Sequence, residues 1–177
     1  KSKLEAVKTV KTLSTIKVMG MEMEATTLEM APNKSKAVQK IMGQEMVQVF
    51  DGEKGYMMQA GQRMDLPAPA IEEAKKKRLF EVLSYNAADF KTVEKVTEEG
   101  KELYLLAGAG KKLYFDTKTN LLVKSTSDKG DMVILDYMEV DGIKFPKNLK
   151  LAMMGQNMEM TNNQVIVNKE ISAEDFK

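Results

Sequence analysis

Cysteine, histidine and tryptophan are all absent from the 177 residues. Without cysteine there is no disulfide, no thiol redox chemistry and no thiolate nucleophile. Without histidine there is no Ser-His-Asp triad and no imidazole switch near neutral pH. With neither, Cys/His zinc sites are excluded as well. Arginine is scarce: only Arg63 and Arg78 stand among 27 basic residues, so bidentate readers of phosphate and guanine are few. Nucleic acid is therefore not an expected partner. No apolar run approaches the ~18 residues of a transmembrane helix. The chain opens at Lys1-Ser2-Lys3 with neither an initiating methionine nor a signal-peptide pattern, as though a segment upstream had been removed.

What is present is a balanced, interspersed charge (27 basic and 26 acidic residues), 43% hydrophobic residues and 15 methionines. The length suits one domain over 1–177. It allows burial of roughly two-thirds of the surface that an unfolded chain exposes. The tightest basic run, Lys75-Lys76-Lys77-Arg78, follows Glu72-Glu73, an order that suits the solvated face of a helix and its macrodipole.

Ser2-Lys3-Leu4-Glu5 reads as a capping box opening a short helix whose stripe is Leu4, Val7 and Val10 or Lys11, with the pattern changing after Leu13. Strands are then expected at about 14–20, 22–31, 35–42, 45–50 and 54–59. Pro67 and Pro69 introduce a second amphipathic helix over about 69–83, striped by Ile71, Ala74, Leu79, Val82 and Leu83. Further strands follow at about 90–97, 102–108, 111–116, 121–127, 131–140, 144–153 and 158–168. Eleven or twelve short-looped strands mean a meandering antiparallel sheet. Two or three helices cannot cover both of its faces. The expected fold is mainly β (α+β): a curled sheet forming an incomplete barrel, its apolar hollow lidded by helices.

Three segments share the form Met-Gly-x-x-Met, at Met19-Gly20, Met42-Gly43 and Met154-Gly155. Glycine followed by a polar residue predicts a two-residue type II′ hairpin at each. Met19, Met21 and Met23, and again Met158 and Met160, alternate along strands. Clustered thioethers are either a soft Cu(I) or Ag(I) site or a pliable lining for variable apolar shapes. Gly108-Ala109-Gly110-Lys111-Lys112 has the look of a phosphate loop, but Leu105 stands where its first glycine belongs, and a strand turn is the better reading. Glu22 with Glu24, or Glu98 with Glu99, lack anything to orient a substrate or to split their acidities. No catalytic residues and no cofactor are expected.

Ala31-Pro32-Asn33-Lys34, then Phe50-Asp51-Gly52-Glu53-Lys54-Gly55-Tyr56, resemble the turns of outer-membrane lipoprotein-sorting proteins, the periplasmic LolA/LolB-like carriers. Tyr114 to Val123 is similar to that family's later hairpin. Val140-Asp141-Gly142-Ile143-Lys144-Phe145-Pro146 and Asn168 to Phe176 resemble its closing elements. Methionine and aliphatic residues stand where those carriers place aromatic ones. The resemblance implies an incomplete barrel with a helical lid, whose cavity receives lipoprotein acyl chains or another envelope lipid such as phospholipid. It also implies a non-enzymatic carrier in the bacterial periplasm or on the periplasmic side of the outer membrane, with envelope proteins as possible partners; a monomer is expected.

Within such a barrel, alternation nominates Ile16, Val18, Met30, Ile41, Tyr56, Met58, Leu105, Leu135, Leu149 and Leu151 for the cavity wall. Leu4, Val7, Ile71, Leu79, Val82 and Leu83 are nominated for the lid. Two other functions are compatible with the same residues: a methionine-based metal binder of the envelope, and a structural or interaction module whose hollow is filled by its own side chains.

Overall fold

The computed structural model describes residues 2–41, 43–108, 110–153, 155–169 and 171–177. After a five-residue helix α1 (Ser2–Ala6), six strands follow: β1 (Thr9–Val18), β2 (Met21–Met30), β3 (Lys34–Ile41), β4 (Gln44–Phe50), β5 (Gly55–Gln59) and β6 (Gln62–Asp65). Helix α2 (Ala68–Lys76) and two 3-10 turns, Glu81–Ser84 and Ala87–Asp89, interrupt them. The second run comprises β7 (Thr92–Glu98), β8 (Lys101–Gly108), β9 (Lys111–Asp116), β10 (Leu122–Ser127), β11 (Gly130–Val140), β12 (Ile143–Met153) and β13 (Gln156–Val167).

All thirteen strands form one antiparallel sheet in the order β6-β5-β4-β3-β2-β1-β13-β12-β11-β10-β9-β8-β7. The first and last strands pair at its middle, and the chain meanders outward from them to two free edges, β6 and β7. The sheet is a curled, incomplete barrel, as the strand count implied.

Several details differ from the sequence expectation, each for a physical reason. Helix α1 ends at Ala6 because Val10 belongs to a central strand, opposite both Glu29 and Val167. The second helix stops at Lys76, and Lys77 is already extended, with ψ 148. That extension carries Leu79 and Phe80 down onto the core, where the Phe80 and Phe145 rings lie 5.9 Å apart. Strand β6 is an addition to the expected set: all four of its residues are exposed, so it shows no apolar alternation, only the Ala60-Gly61 turn before it. Met19-Gly20 has φ of 50° and 78°, a type I′ turn with glycine second, not the type II′ turn expected. Met42 and Met154, the residues before the other two repeat glycines, lie outside the described residues, as does Ala109 of the Gly108–Lys112 segment. The flanking strands β8 and β9 nonetheless pair Gly108 with Lys111 as a hairpin.

Residues directly opposite on paired strands share a face. On the face that includes Val10, the main core gathers Val7, Val10, Ile143, Phe145, Val165 and Val167 beneath Leu4, Leu79 and Phe80. This is the helix-bearing face. A second cluster, Leu103, Leu105 and Tyr114 with Val96 and Val123, forms on the other face of β7 to β10. The C-terminal 3-10 turn packs on that other face at β3, with Phe176 and Val49 both 1% exposed.

Candidate functional site

Three zones succeed one another along the strands of the helix-bearing face. The first is the lidded core just described. Next comes a polar crossing: Ser14 Oγ donates to Asn162 Oδ1 at 2.7 Å, and Asn162 Nδ2 donates to the Pro146 carbonyl at 2.7 Å. The crossing ties β1, β13 and β12 together where the β1–β13 register slips beside Ser14. Beyond it, toward the hairpin ends, the face turns apolar again.

That third zone consists of two rows running across β11, β12, β13, β1 and β2. In one row Ile134, Leu149, Met160, Ile16 and Met23 are successive cross-strand partners. In the next, Met132, Leu151, Met158, Val18 and Met21 are partners in the same way. Ile134, Ile16 and Leu149 of the inner row are buried at 6%, 6% and 8% exposure, whereas Met21 of the outer row is 42% exposed. Met153, beside the outer row, is 41% exposed, and Met19 at the hairpin tip is 79% exposed. No ionisable side chain interrupts either row. The surface grades from dry interior to an open methionine rim, which suits an apolar chain and offers no group for chemistry.

The nominated wall residues divide by face. Ile16, Val18, Leu149 and Leu151 lie in the two rows. Ile41 lies on the same face, two residues on from Gln39, which faces Ala25. Met30, Tyr56, Met58 and Leu105 fall on the opposite face by register. Leu105 is part of the second core there, and the Tyr56 hydroxyl donates to the Lys177 carbonyl at 3.0 Å. Leu135 is the extra residue of a bulge between Ile134 and Asp136 and is 57% exposed. Among the lid residues, Leu4, Val7 and Leu79 meet the core. Ile71 instead borders a cleft with Tyr56 and Phe176, Val82 is 49% exposed, and Leu83 is half-buried. Met21, Met23, Met132, Ile134, Met158 and Met160 complete the rows without having been nominated for the wall. Their strands alternate visibly, and only the cross-strand register shows that they share a face with Ile16.

Beside the core, α2 roofs a cleft of about 200 Å3 over β2 to β4, bordered by Glu29, Gln48, Phe50, Ala70, Ala74 and Lys77. Burial pushes the Glu29 carboxyl above its ordinary range, and the Lys77 charge only partly offsets this. Asn33 of the Pro-Asn turn donates to the Lys75 carbonyl at 3.3 Å and to the Gly52 carbonyl at 3.5 Å, tying α2 to both family-like turns. Asp51 Oδ1 accepts from the Glu53 and Lys54 amides at 2.8 and 2.7 Å, and those bonds lower its pKa. Of the four carboxylates considered for acid–base chemistry, Glu22 pairs with Lys17 at 3.2 Å and Glu98 with Lys124 at 2.8 Å. Among the described residues, no helix is long and apolar enough to cross a membrane, and no three acidic side chains group as a metal site.

Two solved structures follow the same backbone path over nearly the whole chain. A DUF1329 family protein from Desulfovibrio piger is 9% identical with a TM-score of 0.61, over 99% of this chain and 92% of its own. A domain assigned as an outer membrane lipoprotein-sorting protein from Vibrio parahaemolyticus is also 9% identical with a TM-score of 0.61, over 96% and 89%. No family model and no curated protein matches the sequence. With so few shared side chains, the likeness is one of fold: the chain has the lipoprotein-sorting fold that its turns and their order resemble.

Proposed function

We propose that the protein is a non-enzymatic carrier that binds lipoprotein acyl chains or another envelope lipid on its helix-bearing face. The observation that carries this reading is the pair of uninterrupted apolar rows, five strands wide, opening onto a methionine rim. Each acyl methylene removed from water there contributes about 0.8 kcal/mol, so a long chain can be held without any polar contact. Methionine suits the task because its unbranched, polarizable side chain repacks around different shapes. A periplasmic location, a monomeric state and handover to envelope proteins belong to the same reading.

The burial of Ile16, Ile134 and Leu149 in the inner row favours a second reading, an interaction module whose hollow is its own core. Solvent extraction of the protein purified from a bacterial host, followed by mass spectrometry, separates the two. A stoichiometric phospholipid or acylated species supports the carrier. An empty extract together with no uptake of a fluorescent fatty acid supports the filled module.

A further inference from the structure

We propose that Met46, Met57 and Met64 form a binding site for a soft monovalent metal ion, Cu(I) or Ag(I), at the free edge of the sheet. Met57 on β5 is directly opposite Met64 on β6, which places their Cβ atoms about 4.5–5.5 Å apart. Met46 on β4 faces Gln59 and is therefore the diagonal neighbour of Met57, about 7–8 Å away. By register all three lie on the helix-bearing face, close enough for their flexible side chains to reach a shared ion.

The surroundings select for such an ion. On this face β4 to β6 present Gln44, Gln48, Gln59 and Gln62 around the three thioethers. Among the described residues of these strands, that face has no carboxylate for a hard cation and no ammonium to repel a soft one. Arg63 lies on the opposite face, its guanidinium 3.8 Å from the Tyr56 ring centroid. Met64 is 47% exposed on an edge strand, which gives an ion a path in. Thioether sulfur prefers Cu(I) and Ag(I) over zinc, magnesium or calcium. It carries no proton to displace, so uptake is expected to stay level from about pH 5 to 8. Met19, Met21 and Met23, the cluster that the sequence puts forward, are arranged differently: Met19 sits in the hairpin turn, and Ile16 and Val18 separate Met23 and Met21 from Met160 and Met158.

The test is titration of the full chain with Ag(I) in chloride-free buffer, read by methionine-methyl NMR. One equivalent is expected to shift the Met46, Met57 and Met64 methyl signals together. The M46L/M57L/M64L variant, which conserves volume, is expected to bind at least 100-fold more weakly. The M21L/M23L/M158L/M160L variant is expected to bind as the parent does. No uptake by the parent chain, or full uptake by the triple variant, overturns the proposal. Should the triple variant not fold, M64L alone on the exposed edge must weaken binding at least tenfold, and unchanged binding overturns the proposal equally.

Discussion

Ser14 and Asn162 meet across β1 and β13 in a 2.7 Å hydrogen bond, and the other end of the Asn162 amide holds the Pro146 carbonyl of β12. This crossing marks where the lidded core stops and the methionine rows begin. Ser14 is only 7% exposed, so its hydroxyl has no water to fall back on. Asn162→Leu leaves both the Ser14 hydroxyl and the Pro146 carbonyl without their partner, and is expected to cost about 1–3 kcal/mol. Ser14→Ala removes one bond and should cost about 1 kcal/mol. In urea denaturation the double variant should lose less than the sum of the single ones, because they share that bond. Strict additivity would mean that the crossing is not one unit.

The lid segment divides at Phe80. Leu79 packs on the core, whereas Val82, three residues on, is 49% exposed. Leu79→Asp places an unpaired charge against Phe145 and its neighbours, and a loss of about 3 kcal/mol or more is expected. Val82→Asp should fall within about 0.5 kcal/mol of the parent, as surface changes do. Thermal melts of the two variants side by side check the division. Equal losses would place Val82 in the core too.

Glu29 makes stability fall with rising pH. Its folded-state pKa lies above the ordinary 4.5 because burial disfavours the carboxylate. Between the unfolded and folded values the folded chain therefore binds more protons than the unfolded one, and stability declines as pH climbs through that window. Glu29→Gln abolishes this contribution. The urea midpoint of the variant should exceed that of the parent at pH 7, with the gap closing below the ordinary value of 4.5. Asp51 acts with the opposite sign: its lowered pKa gives stability that is present above 3.8 and lost as pH falls through the folded value. A midpoint of Glu29→Gln that ran parallel to the parent across pH 4 to 7 would contradict this account of Glu29.

Two glycines test different constraints. Gly20 has φ +78°, and a Cβ added there would meet nothing within 4 Å, so Gly20→Ala incurs only the left-handed penalty, about 1–2 kcal/mol. At Gly108 a Cβ would lie 2.0 Å from the Asp89 carbonyl oxygen and 2.8 Å from Phe90 Cα, both backbone atoms. Gly108→Ala must push the segment before β7 off the sheet, at a cost of about 3 kcal/mol. Equal urea midpoints for the two variants would show that this segment yields freely.

The strands are legible where one face is buried and the other exposed, since alternation survives in the sequence at Ile16-Lys17-Val18 of β1 and Met158-Glu159-Met160 of β13. Strand β6 is not, because Gln62, Arg63, Met64 and Asp65 are all exposed and carry no contrast between faces. The helix ends depart from expectation for a different reason. Leu79, Val82 and Leu83 continue a helical period, but tertiary contact of Leu79 and Phe80 with the core outweighs local preference. The site is half legible. Ile16, Val18, Leu149 and Leu151 are recoverable from their own strands. Their grouping with Met132, Met158 and Met160 depends on register among β11, β12, β13 and β1, and β1 and β13 stand at opposite ends of the chain. The bulge that leaves Leu135 outward is equally invisible to a period-2 pattern.

Leu151 and Leu135 offer the sharpest comparison for lipid binding. Alternation nominates both for the cavity wall, yet Leu151 sits in the outer row between Met158 and Met132, while Leu135 is the outward bulge residue. Leu151 is half-buried and Leu135 is 57% exposed, so a glutamine is tolerated at either position without unfolding the sheet. If acyl chains lie along the rows, Leu151→Gln removes the apolar contact of about two methylenes and inserts an amide that the chain cannot satisfy. Together these should weaken fatty acid binding by about 2 kcal/mol, some thirtyfold. Leu135→Gln should bind like the parent. Titration with a fluorescent fatty acid reads both directly. If Leu151→Gln binds normally while Leu135→Gln does not, the lipid lies on the other face of the sheet, and the methionine rows are simply core.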